Sequence, residues 1–190
     1  VNVLGPNGGI LETNTLRTNV IPTGEIYYAG GEVFVAEHKA TGATCAIKLS
    51  PLSDLENMKN EIGMQSMSKH ANVVEYQCSY IHGDKIWIVM EIMTGGSLTD
   101  ILGKNVAWPE GHIAYVCRQT LQGLAFMHRS HRLHRDIKSD NILVDGQGRV
   151  KIADFGFAVG LTKEVDKRKS VVGTPYWMAP ELMREDGSCA

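Results

Sequence analysis

The sequence predicts an α+β fold in two lobes, a small antiparallel sheet with one helix followed by a helical lobe. Strand-like alternation of apolar and polar residues dominates from Ile26 to Met90, and helical periodicity replaces it after Gly95-Gly96. The chain has 190 residues, which is long for one domain and short for two. We therefore expect one domain in which a sheet with a helix packs next to further helices.

The first lobe is predicted to hold four strand segments and one helix. Strand patterns occupy residues 32–36, 44–49, 73–80 and 85–90. The helix is predicted from Ser53-Asp54-Leu55-Glu56, a capping box in which the Ser53 hydroxyl and the Glu56 carboxylate each accept a backbone N–H, and it extends to about Lys69. Residues 1–20 are rich in Gly, Asn and Thr. They are predicted to be a tail or linker, which leaves 21–190 as the domain.

The second lobe is predicted to begin with a short helix over residues 97–102. A longer helix is expected from Pro109, a favoured first-turn residue, to about Arg129. The turn sequence at residues 145–148 then predicts one short strand before it and one after it. The long helix has an apolar stripe made of Ile113, Val116, Cys117, Leu121, Leu124 and Ala125.

Composition excludes several function classes. The formal net charge is −2, which gives no reason to expect nucleic acid or an anionic membrane as a partner. The four cysteines lack the paired spacing of a zinc site or a disulfide framework, as expected of a reduced, cytoplasmic protein. The densest apolar run, IWIVM at residues 86–90, lies between Lys85 and Glu91 and is too short for a membrane span.

Three motifs follow one another in the second lobe. Residues 134–141 read HRDIKSDN, residues 154–156 read DFG, and residues 173–181 read GTPYWMAPE. In this order and spacing they resemble the protein kinase family, and they are most similar to the PAK-like branch of the STE group of serine/threonine kinases. The resemblance covers residues 21–190 and implies a kinase-like fold with an incomplete helical lobe, because the family continues with further helices after GTPYWMAPE.

The resemblance implies transfer of the ATP γ-phosphoryl group to Ser or Thr of protein substrates, with ATP and Mg²⁺ as cofactors. This reaction depends on positioning and on neutralising charge. Asp136 is expected to accept the hydroxyl proton, Lys138 to neutralise the moving phosphoryl group, and Thr174 to bridge the two. Asn141 and Asp154 offer the oxygen ligands that Mg²⁺ prefers.

The nucleotide site is expected to begin at Cys45-Ala46-Ile47-Lys48, which resembles the V-A-I-K strand of the family. Lys48 would hold the α- and β-phosphates, and Glu61 on the following helix would pair with it. Gly31 takes the third glycine position of the family's glycine-rich loop. Met90 takes the gatekeeper position, and the backbone of the segment after Met90 would bind adenine. The expected ATP-binding residues are Ile26, Gly30, Gly31, Val33, Ala46, Lys48, Met90, Glu91, Met93 and Leu143.

Two departures from the family pattern favour an alternative function. Tyr28 stands where the loop normally has its second glycine, and its Cβ would obstruct the close approach of backbone N–H groups to phosphates. Gln65 stands where the family places an apolar side chain in a column that also contains Phe155 and His134. A small rotation of the helix would let Met64 supply that apolar side chain instead. With the helices absent, these features leave open a catalytically weak pseudokinase or a truncated kinase-fold scaffold.

The resemblance also predicts regulation and partners. Ser170 aligns with the activation-loop phosphorylation site of the family, and a phosphate there would pair with Arg135. Asp140 lies where related kinases place an acid facing the substrate, which indicates basic residues before the target hydroxyl. Control by a small GTPase would act through regions outside this chain. The spacing of His128, His131 and His134 does not predict a metal site, because the first two end a helix and the third lies in the HRD motif.

Overall fold

An antiparallel sheet forms the first lobe. The computed structural model describes residues 2–4, 10–13, 20–28, 31–38, 41–104, 107–161 and 172–183. Within these ranges the sheet has seven strands, whose spatial order is β2-β1-β6-β7-β5-β4-β3 once they are numbered along the chain. The strands are β1 (Asn2–Leu4), β2 (Ile10–Thr13), β3 (Val20–Tyr28), β4 (Gly31–His38), β5 (Thr44–Pro51), β6 (Tyr76–His82) and β7 (Lys85–Met90).

Strands β5 and β7 are central in this sheet and are buried on both faces. Successive side chains of a strand point to opposite faces, so Ile86 and Ile88 lie on one face and Val89 on the other. The first face packs on Met58 and Ile62, whereas the second forms a separate cluster with Ala36, Cys45 and Ile47. Pairing of β5 with β7 runs from Ala46–Met90 to Pro51–Lys85 and fixes where Lys48 projects.

The helix of this lobe, α1 (Leu55–Ser66), starts one residue later than the sequence predicted, since a box capped by Ser53 would begin the helix at Asp54. A 3₁₀ turn, Leu52–Asp54, precedes it, so Ser53 lies before the cap position and Glu56 becomes the second helical residue. The predicted capping box is therefore wrong, because Ser53 lies one position before the true N-cap, Asp54, and Glu56 only two positions after it. Asp54 is the N-cap residue, and its side chain instead accepts a hydrogen bond from the Asn57 amide at 2.5 Å.

The second lobe starts with two helices in the predicted places. α2 (Leu98–Leu102) has a capping box between Ser97 and Asp100, and α3 (Glu110–Arg129) follows Pro109. Short strands then form two small sheets, β8 with β10 and β11, and β9 with β12. They are β8 (Gly96–Ser97), β9 (Arg132–Leu133), β10 (Ile142–Val144), β11 (Val150–Ile152) and β12 (Val159–Gly160). The pair β10–β11 encloses the predicted turn at residues 145–148.

The apolar stripe of α3 is only partly covered in the described structure. Val116 and Leu124 pack against the cluster around Ile152, whereas Ile113 and Leu121 are 48% and 63% exposed. Within the described ranges, no helix combines the length and the apolar character that crossing a bilayer requires.

The N-terminal segment that was predicted as a tail or linker contains two short strands. β1 pairs with β2 and also with β6, where Asn2 lies opposite Ile81 and Val3 opposite Tyr80. The reason is geometric, since β6 would otherwise be an edge strand with unpaired backbone groups that any nearby extended segment can satisfy. The boundary of the domain at residue 21 stays a prediction.

The packing of α3 on the loop before β6 predicts a selective effect of alanine substitution. A Cβ at Gly123 would lie 2.8 Å from the Asn72 carbonyl oxygen and 2.9 Å from Ile152 Cδ1, whereas a Cβ at Gly111 on the same helix would meet no atom within 4 Å. We expect Gly123→Ala to lower the free energy of unfolding by about 1–3 kcal/mol. Gly111→Ala should raise it slightly, since alanine favours a helix. Chemical denaturation measures both, and equal effects of the two variants would contradict this packing.

Candidate active site

A cleft lies between the sheet and the short strands of the second lobe. Its walls come from strands β4, β5 and β7, from helix α1, and from the segments around β10 and β11. The structure thus brings together residues far apart in sequence, including most of those predicted to bind a nucleotide. The predicted residues that line it are Val33, Ala46, Lys48, Glu61, Met90, Glu91, Met93, Asp140, Asn141, Leu143 and Asp154.

One end of the cleft is an apolar slot. Val33 and Ala46 come from the paired strands β4 and β5, and Leu143 comes from β10 in the other lobe. All three side chains are buried, as is Met93 at 3% exposure. Such a slot suits a flat, largely apolar ring, with orientation supplied by a few polar groups at its edge.

A buried ion pair lies at the inner end of the cleft. Lys48 Nζ is 2.6 Å from Glu61 Oε1 and 3.6 Å from Asp154 Oδ1. Burial alone would lower the pKa of Lys48, but the two carboxylates outweigh it and raise that pKa above its ordinary value. Burial also raises the pKa of Glu61, against the opposing charge of Lys48. The lysine is therefore held as an ammonium group that projects from β5 into the cleft.

A hydrogen-bonded cluster surrounds Asp136, which contacts Asn141 in the wall of the cleft. Asp136 Oδ1 accepts a hydrogen bond from Thr174 Oγ1 at 2.7 Å, and its Oδ2 lies 3.1 Å from Lys138 Nζ. Lys138 also donates to Thr174 Oγ1 at 3.1 Å, so Thr174 bridges the other two residues in the arrangement expected from the sequence. Burial would raise the pKa of Asp136, but the hydrogen bonds from Thr174 and Lys138 outweigh it and lower the pKa. The carboxylate is charged at neutral pH.

Asn141 and Asp154 present oxygen atoms to the same cleft. The Asn141 amide nitrogen donates to the backbone oxygen and to Oδ2 of Asp136, at 2.8 and 3.0 Å. Because both of these partners are acceptors, the amide orientation is fixed, and Asn141 Oδ1 is the atom left to face the cleft. Asp154 adds a carboxylate. This pair of hard oxygen donors fits the chemistry of a Mg²⁺ site.

The backbone around these residues has an unusual conformation. Arg135 and Asp154 have φ angles of 69° and 62°, in the left-handed region that residues with a Cβ rarely occupy. His134, the residue before Arg135, is 2% exposed, with its ring edge-on to Phe155 and its Nε2 3.0 Å from the Ala153 oxygen. Burial lowers the pKa of His134, so its ring is neutral and part of the core.

The three histidines do not form a metal site. His128 and His131 are exposed, whereas His134 is in the core. Throughout the described ranges, no group of three or more His, Cys, Asp or Glu side chains is arranged to hold a metal ion.

Met64 compensates for Gln65, the polar residue that stands where the family has an apolar side chain in the column between the lobes. Gln65 is buried and lines the cleft, and its amide nitrogen lies 3.5 Å from the Val74 oxygen, the outer limit of a hydrogen bond. The neighbouring Met64 instead packs on the cluster that contains Phe155 and Met127. The apolar contact between α1 and Phe155 is thus present, displaced by one residue as the sequence had suggested it could be.

The sequence did not predict the role of the Glu91 side chain. Its Oε1 and Oε2 accept hydrogen bonds from Lys151 Nζ at 2.6 and 2.7 Å, and Oε1 also accepts one from the Glu75 N–H at 2.6 Å. Lys151 is only 7% exposed. The residue after Met90 is therefore tied to β11 and to the loop before β6, across 60 residues of sequence in the first case. A lysine among apolar residues in β11 was the signal that could have indicated it.

Some predicted residues are only partly placed by the structure. Backbone pairing puts Ile26 opposite Val33 and begins β4 at Gly31. Gly30 and Ser170 lie outside the described residues. Arg135 is half-buried and donates from Nε to the Phe157 oxygen at 2.8 Å.

Comparison with known proteins gives one family. The family model of the protein kinase domain matches residues 29–189. Relatives include serine/threonine-protein kinase pakB of Dictyostelium discoideum, 53% identical over 161 residues, and serine/threonine-protein kinase PAK 1 of Mus musculus, 48% identical over 158 residues. Serine/threonine-protein kinase ste20 of Aspergillus oryzae is 49% identical over 160 residues. Each match covers 82% of this chain but only 19%, 29% and 18% of the respective relative, so the chain spans less than a third of their length.

The cluster around Asp136 predicts a shift in its titration. Thr174→Val removes one of the hydrogen bonds that lower the pKa of Asp136, so this pKa should rise. A folded-state pKa below the unfolded value adds stability above the unfolded pKa, and that contribution is lost as the pH falls through the folded one. Carbon-13 NMR titration of the Asp136 carboxyl measures the shift. Thr99→Val is the control, since Thr99 bonds to Ser139 instead, and an unchanged Asp136 titration in Thr174→Val would contradict the cluster.

Proposed function

The chain belongs to the protein kinase family, and we propose that it is the catalytic portion of a PAK-like protein serine/threonine kinase, which transfers the ATP γ-phosphoryl group to protein substrates. The observation that carries the proposal is the cluster of Asp136, Lys138 and Thr174. Asn141 joins this cluster to the cleft that contains Lys48, because it lines the cleft and donates to Asp136. The Asp136 carboxylate can act as a base, the Lys138 ammonium group supplies a positive charge, and the Thr174 hydroxyl hydrogen-bonds to both.

ATP would bind in the cleft in one orientation. Its adenine ring would occupy the slot between Ala46 and Leu143, with its polar edge toward the backbone of Glu91 and Met93. The phosphates would then extend toward Lys48, whose ammonium group is held in place by Glu61. An ammonium group fixed before binding stabilises phosphate charge without further reorganisation, which is the main contribution of a protein to this reaction.

Asn141 Oδ1 and the Asp154 carboxylate would hold Mg²⁺. When bound, the ion would neutralise charge on the phosphate oxygens. Since Asn141 also donates two hydrogen bonds to Asp136, the same side chain would fix the distance between the metal donors and the base.

Asp136 would orient the substrate hydroxyl and accept its proton. The substrate oxygen forms a bond to the γ-phosphorus, the bond from that phosphorus to the β–γ bridging oxygen breaks, and ADP leaves. Lys138 lies 3.1 Å from Asp136 and would neutralise charge on the group in transfer. Thr174 would hold the two residues in register, because it accepts a hydrogen bond from one and donates to the other.

The ion pair argues for an enzyme over a pseudokinase scaffold. A scaffold has no need for a buried Lys48–Glu61 pair, since such pairs contribute little to stability after desolvation. Tyr28 in the glycine-rich loop favours weaker nucleotide binding. Gln65 no longer favours the scaffold, because Met64 packs where an apolar contact is required.

Substrate choice and regulation are proposed on the family resemblance. Asp140 lies at the cleft, where its charge would favour basic residues before the target hydroxyl. A phosphate on Ser170 would pair with Arg135 and raise activity. Control by a small GTPase through other regions and a cytoplasmic location stay predictions.

Loss of the base tests the proposed function. In the full-length protein, Asp136→Asn should lower kcat by about 10²–10⁴-fold, the usual contribution of a general base. Asp84→Asn changes an exposed turn carboxylate and should leave kcat unchanged. Transfer of radioactive phosphate from γ-labelled ATP to a protein substrate measures both variants. Absence of transfer by the wild-type protein, or equal rates for wild type and Asp136→Asn, would contradict the proposal.

A further inference from the structure

The C-terminal end of α1 is joined to the second lobe by an arginine. A helix ends with carbonyl groups that lack partners within the helix, and cations near them are stabilising. The last turn of α1 contains no basic residue. Arg132 supplies the charge from elsewhere, since its Nη1 donates to the Met67 oxygen at 2.7 Å and to Ser68 Oγ at 3.0 Å.

Ser68 extends this contact into the helix. Its side chain is buried, at 1% exposure, and its hydroxyl donates to the Met64 oxygen at 2.6 Å. Arg132, Ser68 and the last turn of α1 therefore form one hydrogen-bonded chain, and Met64 is also the residue that packs on the Phe155 cluster. The end of α1 is held by a polar and an apolar contact at the same point.

Arg132 is well placed to couple α1 to the catalytic loop. It lies in β9, two residues before His134 and four before Asp136, and it pairs with Gly160 of β12 in the segment after Asp154. The Asn60 amide also donates to the Ala158 oxygen at 2.9 Å, which links the same helix to the same segment. The helix that carries Glu61 is thus fixed against both segments that carry the reacting groups.

We propose that Arg132 is a positioning residue, which sets the orientation of α1 relative to the catalytic loop and thereby keeps Glu61 paired with Lys48. The proposal rests on the proposed kinase function for its kinetic consequence. The apolar contact of α1 with the Phe155 cluster is made by Met64, and the Met64 oxygen accepts the hydrogen bond from Ser68. The polar contacts of Arg132 and Ser68 therefore hold the same turn of α1 that makes this apolar contact.

A double-mutant cycle in the full-length protein tests the kinetic consequence. Arg132→Leu keeps the apolar stem and removes the charge, and it should lower kcat/KM for ATP about tenfold, within the usual range of coupling between sites. In a Glu61→Gln background the same change should cost less than about twofold, because the pair it serves is already lost. Arg132→Lys should give an intermediate value. Arg118→Leu, on the exposed part of α3, is the matched control and should match the wild type.

Hydrogen exchange separates this proposal from the proposed function. Arg132→Leu should accelerate exchange of the backbone amides of residues 62–66, whether or not the protein transfers phosphate. If Arg132→Leu lowers kcat/KM by the same factor with and without Glu61→Gln, the effect is a general loss of stability and the proposal is overturned. Unchanged hydrogen exchange in α1 would also overturn it. Should Arg132→Leu fail to fold, Arg132→Lys carries both comparisons. Absence of phosphate transfer by the wild type would overturn the proposed function alone, since the exchange result still decides the position of α1.

Discussion

The cleft depends on one buried ion pair, between Lys48 on the sheet and Glu61 on α1. Glu61 is 2% exposed, and its Oε2 is buried with no hydrogen-bond partner among the described residues. A lone carboxylate in this position would carry a large desolvation cost, so the ammonium group is what allows it to stay charged. The pair joins α1 to β5 in the cleft, beside the apolar contacts of Met58 and Ile62 with the sheet.

The second lobe completes the site through backbone conformation. Arg135 and Asp154 occupy the left-handed region at a cost of about 1–3 kcal/mol each. Local hydrogen bonds offset part of this, including one from the Arg135 side chain to the Phe157 oxygen and one from the Gly156 N–H to Asp154 Oδ1. The buried ring of His134 packs between the two segments. The two segments thus place Asp154 in the wall of the cleft and Asp136 in contact with Asn141, which also lines it.

Motifs made the reacting residues predictable, and long-range contacts made the rest unpredictable. The Lys48–Glu61 contact could be predicted from the V-A-I-K-like strand and the register of the following helix, and the Thr174–Asp136 contact from two motifs. The capping box at Ser53 failed because a 3₁₀ turn shifted the start of the helix, which local pattern does not reveal. Arg132 was missed for a different reason, since its partners are 64 and 65 residues away in sequence and its type matches no motif.

Titration of the Lys48 ammonium group tests the central interaction most directly. NMR of isotopically labelled lysine in the wild-type protein should give a pKa above the ordinary value, because the Glu61 and Asp154 carboxylates outweigh burial. In Glu61→Gln the largest opposing charge is gone, so burial should lower that pKa. An identical Lys48 titration in the two proteins would contradict the account, since the pair would then not determine the electrostatics of the cleft.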